Sequence, residues 1–310
     1  MQKYRNTLAV LILFVGVVKA QYDPMFTQYM FNEAFINPAY AGSKEAVSLT
    51  SLYRSQWVNI PGAPKTISFS AHAPLMNNKM GLSFSLLNDK IGVANRTMSF
   101  VGYAYRFKLS KGLFSLGLQA GMNSIEEKLS QLNTTTQGDQ LFAANTPTVR
   151  TPNFGFGMYY YTGRFYTGLS IPRLVNNDIK LNANQQIEKK NKFQPDNFHY
   201  FFVAGYVFDV ADDIKLKPQM MTKVVKNAPI EVDMNVNVLL KELLWLGISY
   251  RTKADISALV GYQVTPQLLI NYSYDYSLTA LQQYNSGSHE IAINYLFSYN
   301  KRKIASPRYF

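Results

Sequence analysis

Residues 230–238 alternate without a break. Ile230, Val232, Met234, Val236 and Val238 take one parity, and Glu231, Asp233, Asn235 and Asn237 take the other. A period of two places the two sets on opposite faces of an extended strand. The same alternation runs through 67–73, where Ile67, Phe69, Ala71 and Ala73 oppose Ser68, Ser70 and His72. It recurs in 268–276 and 291–299, and weaker copies occupy 46–54, 80–87, 97–109, 113–123, 153–161, 164–171, 199–210, 214–224, 244–250 and 256–264. The pattern predicts about 14 strands, most of them close to the ~9–11 residues with which a tilted strand crosses a bilayer. No stretch of 3.6-residue period interrupts them.

All-β alternation suits a soluble sandwich or a membrane barrel, and the connections separate the two. The links near 109–112, 161–163, 210–213, 240–243 and 264–267 are short, whereas 55–65, 124–152, 172–197 and 277–288 are long. Outer-membrane barrels sort their connections this way, with short periplasmic turns and longer outer loops. A sandwich has no reason to. The expected fold is therefore all-β: a transmembrane antiparallel β-barrel of about 14 strands over residues 46–300, followed by a short tail, 301–310. An even strand count puts both termini on the periplasmic side. Tyr53, Tyr103, Tyr159 to Tyr161, Tyr250 and Tyr299 fall at strand ends, where interfacial aromatic girdles lie.

Ahead of the barrel, residues 1–20 read as a secretory signal peptide. Lys3 and Arg5 form a basic start, Leu8 to Val18 an apolar stretch, and Val18-Lys19-Ala20 a cleavage site before Gln21. The apolar run is short of the ~20 residues a spanning helix needs. Composition agrees with export to a membrane. Charged residues make up only 16%, while the chain holds 22 Tyr and 20 Phe against 2 Trp. With no cysteine in the chain, disulfides, zinc–thiolate sites, thiol nucleophiles and an N-terminal lipidated Cys are excluded.

Nothing in the sequence builds a catalytic centre. The three histidines, His72, His199 and His289, have neither metal-ligand spacing nor a Ser/Asp set arranged for nucleophilic catalysis. His72 sits on the polar face of its strand and reads as a lumen residue. Gly155-Phe156-Gly157 is a strand stretch, since no P-loop Lys follows it. The expectation is no enzyme, no cofactor and no metal. The net charge of +12 is scattered, so no nucleic-acid partner is expected. Its one dense run, Glu188-Lys189-Lys190-Asn191-Lys192, reads as a solvated loop tip.

Residues 21–45 are different: aromatic, rich in Asn and Pro, and too irregular for a strand. Here the chain resembles the PorP/SprF family of outer-membrane proteins, associated with the type IX secretion system of Bacteroidota. Four stretches carry the resemblance. The first holds Asp23-Pro24, Phe26, Gln28-Tyr29-Met30 and Asn37-Pro38-Ala39-Tyr40-Ala41-Gly42. The second is Arg54-Ser55-Gln56-Trp57 with Gly62-Ala63-Pro64-Lys65-Thr66. The third is Tyr103-Ala104-Tyr105-Arg106 with Gly117-Leu118-Gln119-Ala120-Gly121. The fourth is Tyr274-Asp275-Tyr276 with Gly287-Ser288-His289-Glu290. Glu33 departs from the pattern, standing where the family tends to have Pro. The resemblance implies a place in the cell outer membrane and a role in export or surface anchoring of secreted proteins or gliding adhesins. The implied partners are other secretion components and their cargo. The alternative is an outer-membrane channel or transporter for small solutes.

Two groups of residues are candidate sites. Closing a barrel pairs its first and last strands, which brings loops 55–65 and 277–288 together above the seam. Trp57, Pro61, Gly62, Ala63 and Pro64, with Tyr284, Gly287, Ser288, His289 and Glu290, are then either a docking site for a secreted protein or a lock on the seam. The second group is Asp23, Pro24, Phe26, Gln28, Tyr29, Met30, Asn37, Pro38, Tyr40 and Gly42. Asn37 as N-cap, Pro38 at the first helical position and Gly42 as terminator predict one helical turn. The segment starts at the periplasmic mouth. It either folds into the lumen as a plug, with Gln28, Asn32 and Asn37 bonding the polar wall, or binds a periplasmic partner.

Overall fold

The alternating segments pair edge to edge until the last meets the first. The computed structural model describes residues 24–76, 78–132, 145–181, 187–192, 195, 198–226 and 228–297. The first seven barrel strands are β1 (Val47–Ser55), β2 (Lys65–Leu75), β3 (Met80–Ile91), β4 (Ala94–Leu109), β5 (Gly112–Glu127), β6 (Val149–Tyr161) and β7 (Phe165–Ile171). The eighth, β8, has two arms, Tyr200–Tyr206 and Phe208–Ala211, with an irregular register beyond Asp209. Then follow β9 (Ile214–Val224), β10 (Glu231–Leu240), β11 (Leu244–Arg251), β12 (Asp255–Gln263), β13 (Leu268–Ser277) and β14 (Ser288–Phe297). Each strand is antiparallel to the next, and β14 returns to β1 in a register running from Val47↔Phe297 to Ser55↔His289. The result is a closed 14-stranded antiparallel barrel, which leaves no edge open.

Its two ends differ. At one end the turns span two to four residues, at 76–79, 110–111, 162–164, 212–213, 241–243 and 264–267. The connections at the opposite end include 56–64, 128–148, 172–199 and 278–287. Two connections at this loop end, 92–93 and 252–254, are as short as the turns. The sorting is thus a strong bias rather than a strict rule. Connection 172–199 carries a hairpin of its own, Asn176–Leu181 paired with Ile187–Lys192. The basic run at 188–192, read from sequence as a loop tip, is an arm of that hairpin. Its backbone alternates hydrogen bonds with the opposite arm despite the charge.

The burial pattern is inverted relative to a water-soluble protein. Ile67, Val101, Leu118, Met234 and Ile248 are exposed on the outer face, while Ser68, Ser70, Asn235, Asn237, Asn271 and Ser273 are buried inside. This is the inside-out arrangement of a barrel whose apolar belt meets lipid and whose lumen is polar. Two aromatics assigned to the outer girdle belong elsewhere: Tyr159 and Tyr161 point into the lumen and are buried. Their odd parity on β6 matches Gly157 and Gly155, not the outward-facing Phe154 and Tyr160. Tyr53, Tyr103 and Tyr250 are exposed on the outer face. Tyr299 lies outside the described residues, as do the proposed signal peptide and the tail.

Candidate functional site

The lumen is occupied by the chain's own residues 24–43. Every residue from Met25 to Ser43 is buried except Phe35, which is half-buried. Three short turns, Tyr29–Phe31, Glu33–Ile36 and Pro38–Tyr40, let the segment coil down the axis. Its large apolar side chains form a core with lumen-facing wall residues: Tyr29, Met30, Phe31, Ile36 and Tyr40 pack with Tyr159, Tyr166, Phe201 and Trp245. Burying each such side chain is worth about 1.5–3 kcal/mol.

Direction is where the structure departs from the sequence reading. The described part of the segment, from Pro24 on, does not start at the turn end. Thr27 sits high in the lumen against Glu290 and Asp275, residues near the loop ends of β14 and β13. Phe31 lies at mid-height, its carbonyl accepting from Asn294. Ala41 and Gly42 sit low, beside Arg106 and His72 near the turn end. The chain therefore descends from the loop end and turns upward only on entering β1. The wall dictates this polarity, because its paired charges lie high and its lumen-facing gaps lie low.

The high anchor is a buried ionic cluster. Glu290 spreads its carboxylate over two consecutive amides of the segment: Gln28 N donates to Oε1 at 2.8 Å and Thr27 N to Oε2 at 3.1 Å. Arg54 Nη1 reaches Glu290 Oε2 at 2.9 Å, Asp275 Oδ2 at 2.7 Å and Thr27 Oγ1 at 3.0 Å. Thr27 Oγ1 donates in turn to Asp275 Oδ1 at 2.9 Å. Arg54, Asp275 and Glu290 are each at most 2% exposed. A second cluster stands beside the first. Arg251 forks onto Asp233 at 2.8 and 3.0 Å, and its Nη2 donates to the Phe26 carbonyl at 3.3 Å. Buried charges persist when paired and hydrogen-bonded, and here the segment's backbone supplies part of that pairing.

Below, the wall is hollowed to take the chain. A Cβ added at Gly117 would fall on the Ala39 nitrogen, and one added at Gly157 would fall on Asn37 Oδ1. Asn37 caps the turn as its residue types predict, its Oδ1 accepting from Ala39 N at 2.9 Å, while its Nδ2 donates to the Met158 carbonyl at 3.0 Å. Gln28 donates to Ser273 Oγ and the Glu290 carbonyl, and Asn32 accepts from Ser70. Tyr40 stands edge-on to His72 and to Tyr159, with ring centres 5.4 and 5.3 Å away. Gly42 takes a φ of 73° and donates its amide to His72 Nδ1. Pro24 is half-buried at the upper end. Asp23 lies outside the described residues.

Between the anchors sits Glu33, 2% exposed, with Lys217, Tyr159 and Lys44 as its polar neighbours.

The seam residues divide into three sets. Val58 N donates to the Gly287 carbonyl, Ser286 N to the Val58 carbonyl, and Trp57 N to Ser288 Oγ, at 2.9, 2.9 and 3.1 Å. Loop 56–64, with Trp57, Pro61, Gly62, Ala63 and Pro64, is thereby stitched to the last loop, where Tyr284 is 66% exposed on a short turn (Ala280–Tyr284). His289 leaves this group and lies on the outer wall, 2.6 Å from the Tyr272 hydroxyl and beside the Tyr274 ring. Glu290 leaves it for the lumen, where it holds the segment. Strand parity forces the split, since neighbouring residues point to opposite faces. Sequence reasoning missed Asp233, Arg251 and the recesses at Gly117 and Gly157. A charged residue or glycine on the lumen parity of a strand was the available signal.

A family model described as type IX secretion system membrane protein PorP/SprF matches residues 18–295. No curated protein matches the sequence. Among solved structures the barrel is similar to the CymD monoaromatic hydrocarbon channel, at TM-score 0.51 and 12% identity, covering 86% of this chain and 93% of that one. It is similar to Omp33 of Acinetobacter baumannii at TM-score 0.49 and 7% identity, covering 82% and 100%. A Pseudomonas aeruginosa FadL homologue matches at TM-score 0.47 and 11% identity, covering 86% and 94%. The CymD match shows a shared barrel fold. With the family match, it identifies an outer-membrane protein.

Proposed function

The chain belongs to the PorP/SprF family of type IX secretion system membrane proteins, and from that premise we propose that it serves secretion as a surface-anchoring component, not as a conduit. The observation that carries this reading is the filled lumen. A segment held high by Glu290 and low by the glycine recesses occupies the axis that a polypeptide in transit would need, which supports anchoring over conduction. What remains to engage a secreted protein is the loop end, which the loop asymmetry assigns to the cell exterior. There, loops 56–64 and 278–287 form one bonded surface that carries the half-buried Trp57 and the exposed Tyr284. Aromatics presented on a braced surface are the side chains that carry binding energy at interfaces. Catalysis has no part in this reading; the partners are secretion components and a secreted cargo or adhesin.

Replacing Trp57 and Tyr284 together by Ala should release the cargo from the cell surface at least ten-fold while the heat-modifiable barrel persists. Cargo retained on an intact variant barrel would refute docking at these loops. Loss of the folded form would assign the loops to locking the seam.

A channel for small solutes is the second reading. It draws on the fold shared with a hydrocarbon channel and on an apolar cavity near the loop end, lined by Phe26, Phe35, Met98, Phe100, Phe201 and Met221. The cavity measures about 40 Å³, well below the ~150 Å³ of an engineered apolar cavity that binds benzene. Size therefore favours the anchoring role. Substrate-blocked conductance in single-channel recordings would reverse that order.

A further inference from the structure

Lys65 and Lys90 are direct register partners on β2 and β3. Both are exposed, and both lie on the outward parity, in line with Ile67 and Phe69 on one strand and Leu82, Phe84 and Leu86 on the other. Like charges directly opposite each other in an antiparallel pair repel and destabilise it. Among the described residues no carboxylate forms an ion pair with either: the nearest acid in sequence, Asp89, faces inward and accepts from Thr66 at 2.7 Å. The pair stands where the apolar belt ends. Immediately beside it, Asn88 donates to Asn95 and Thr97 at 2.8 and 2.9 Å across the outer face.

Loop 56–64 arches over this pair. Gly92 N donates to the Gly62 carbonyl at 2.8 Å, which ties the loop to the β3–β4 turn. Gln56 N closes the loop onto the Pro64 carbonyl at 3.0 Å. The arch holds Trp57 and Asn59 in left-handed backbone, at φ 47° and 77°, a strain that persists only where surrounding bonds enforce it. Beneath it lies an open pocket of about 440 Å³, walled largely by the loop itself, with Trp57, Val58 and Ile60 as well as Lys65 and Lys90 in its lining.

We propose that this cavity is a binding site for the phosphate headgroup of an outer-leaflet glycolipid. Two ammonium groups at headgroup height receive the phosphate, which also relieves their mutual repulsion. Long lysine stems lie along the apolar wall while their heads stay polar, and Trp57 suits the interfacial level beside them. Basic pockets at the membrane boundary recognise anionic lipid in this way. The inference rests on the loop end being the outer one; it shares Trp57 with the proposed docking surface, so its test changes the lysines alone.

The test is native mass spectrometry of the full chain in detergent with added diphosphorylated lipid A, and separately with inorganic phosphate. Lys65→Gln/Lys90→Gln should retain at least ten-fold less lipid A than the parent. A control pair at the turn end, Lys108→Gln/Lys111→Gln, should retain as much as the parent. Heat-modifiability checks that all three are folded. Equal retention by the two variants would overturn the proposal. So would lysine-dependent binding of inorganic phosphate without lipid A, or loss of cargo with unchanged lipid A, which would make the cavity a protein contact instead.

Discussion

Deleting residues 24–42 should open a large pore through the barrel. Fourteen strands at the usual spacing and tilt close to a backbone diameter on the order of 28 Å, and inward side chains still leave a passage of about 10–15 Å. In the intact protein that space holds the apolar core of Tyr29, Met30, Phe31, Ile36 and Tyr40. Planar-bilayer recordings should show at least a ten-fold rise in unit conductance, and cells carrying the variant should admit antibiotics too large for ordinary porins. The deletion also strips Arg54, Asp275 and Glu290 of their segment partners, so the empty barrel is less stable. A second variant avoids that objection. Gly117→Val with Gly157→Val places branched side chains where Ala39 and Asn37 lie, displacing the lower half of the segment without shortening the chain. Conductance should rise here too. Folded variants that conduct no better than the parent would show that the segment does not close the pore.

The barrel was legible because its two solvents differ. Lipid outside and polar lumen inside impose a period of two on every strand, and 230–238 displays it residue by residue. The closing pair was legible for a related reason: a barrel's first and last strands must meet, so loops 56–64 and 278–287 had to be neighbours. Register was not legible. Nothing in Arg54 or Glu290 alone says that they face each other, since a shift of two residues preserves every alternation. The direction of the segment was hidden for the same reason. Its residue types predict burial and a turn at Asn37-Pro38, and both are present. The axial order depends on where the wall places its charges and its gaps, which is a property of seven strands, β1, β5, β6, β10, β11, β13 and β14. Residues such as Asp233, Asp275 and Arg251 carried a signal in hindsight. Each is a charge on the lumen parity of a membrane strand, where isolation is costly and a partner must exist.

Glu290→Gln should free the upper end of the segment while leaving the barrel closed. The carboxylate accepts from Thr27 N and Gln28 N and faces Arg54 at 2.9 Å. Gln has nearly the same shape but one acceptor oxygen. Its amide nitrogen would point a donor at a donor, either a backbone N–H or the guanidinium. Removing one member of a buried pair typically costs about 3–5 kcal/mol, because the remaining charge is left poorly compensated. Asp275 keeps Arg54 partly paired at 2.7 Å, which places the expected loss near the lower figure, about 3 kcal/mol. That corresponds to roughly a hundred-fold increase in the open population of the anchor. Hydrogen exchange at Thr27 and Gln28 should accelerate by about that factor, while amides near Asn37 and Ala39, held by the lower recess, should change far less. The wall should be indifferent, since β1 and β14 stay joined through nine backbone register pairs. Uniform acceleration along 27–41 would mean that the segment opens as one unit and has no separate upper anchor. Unchanged exchange at Thr27 and Gln28 would mean that Asp275 and Arg54 suffice to hold it.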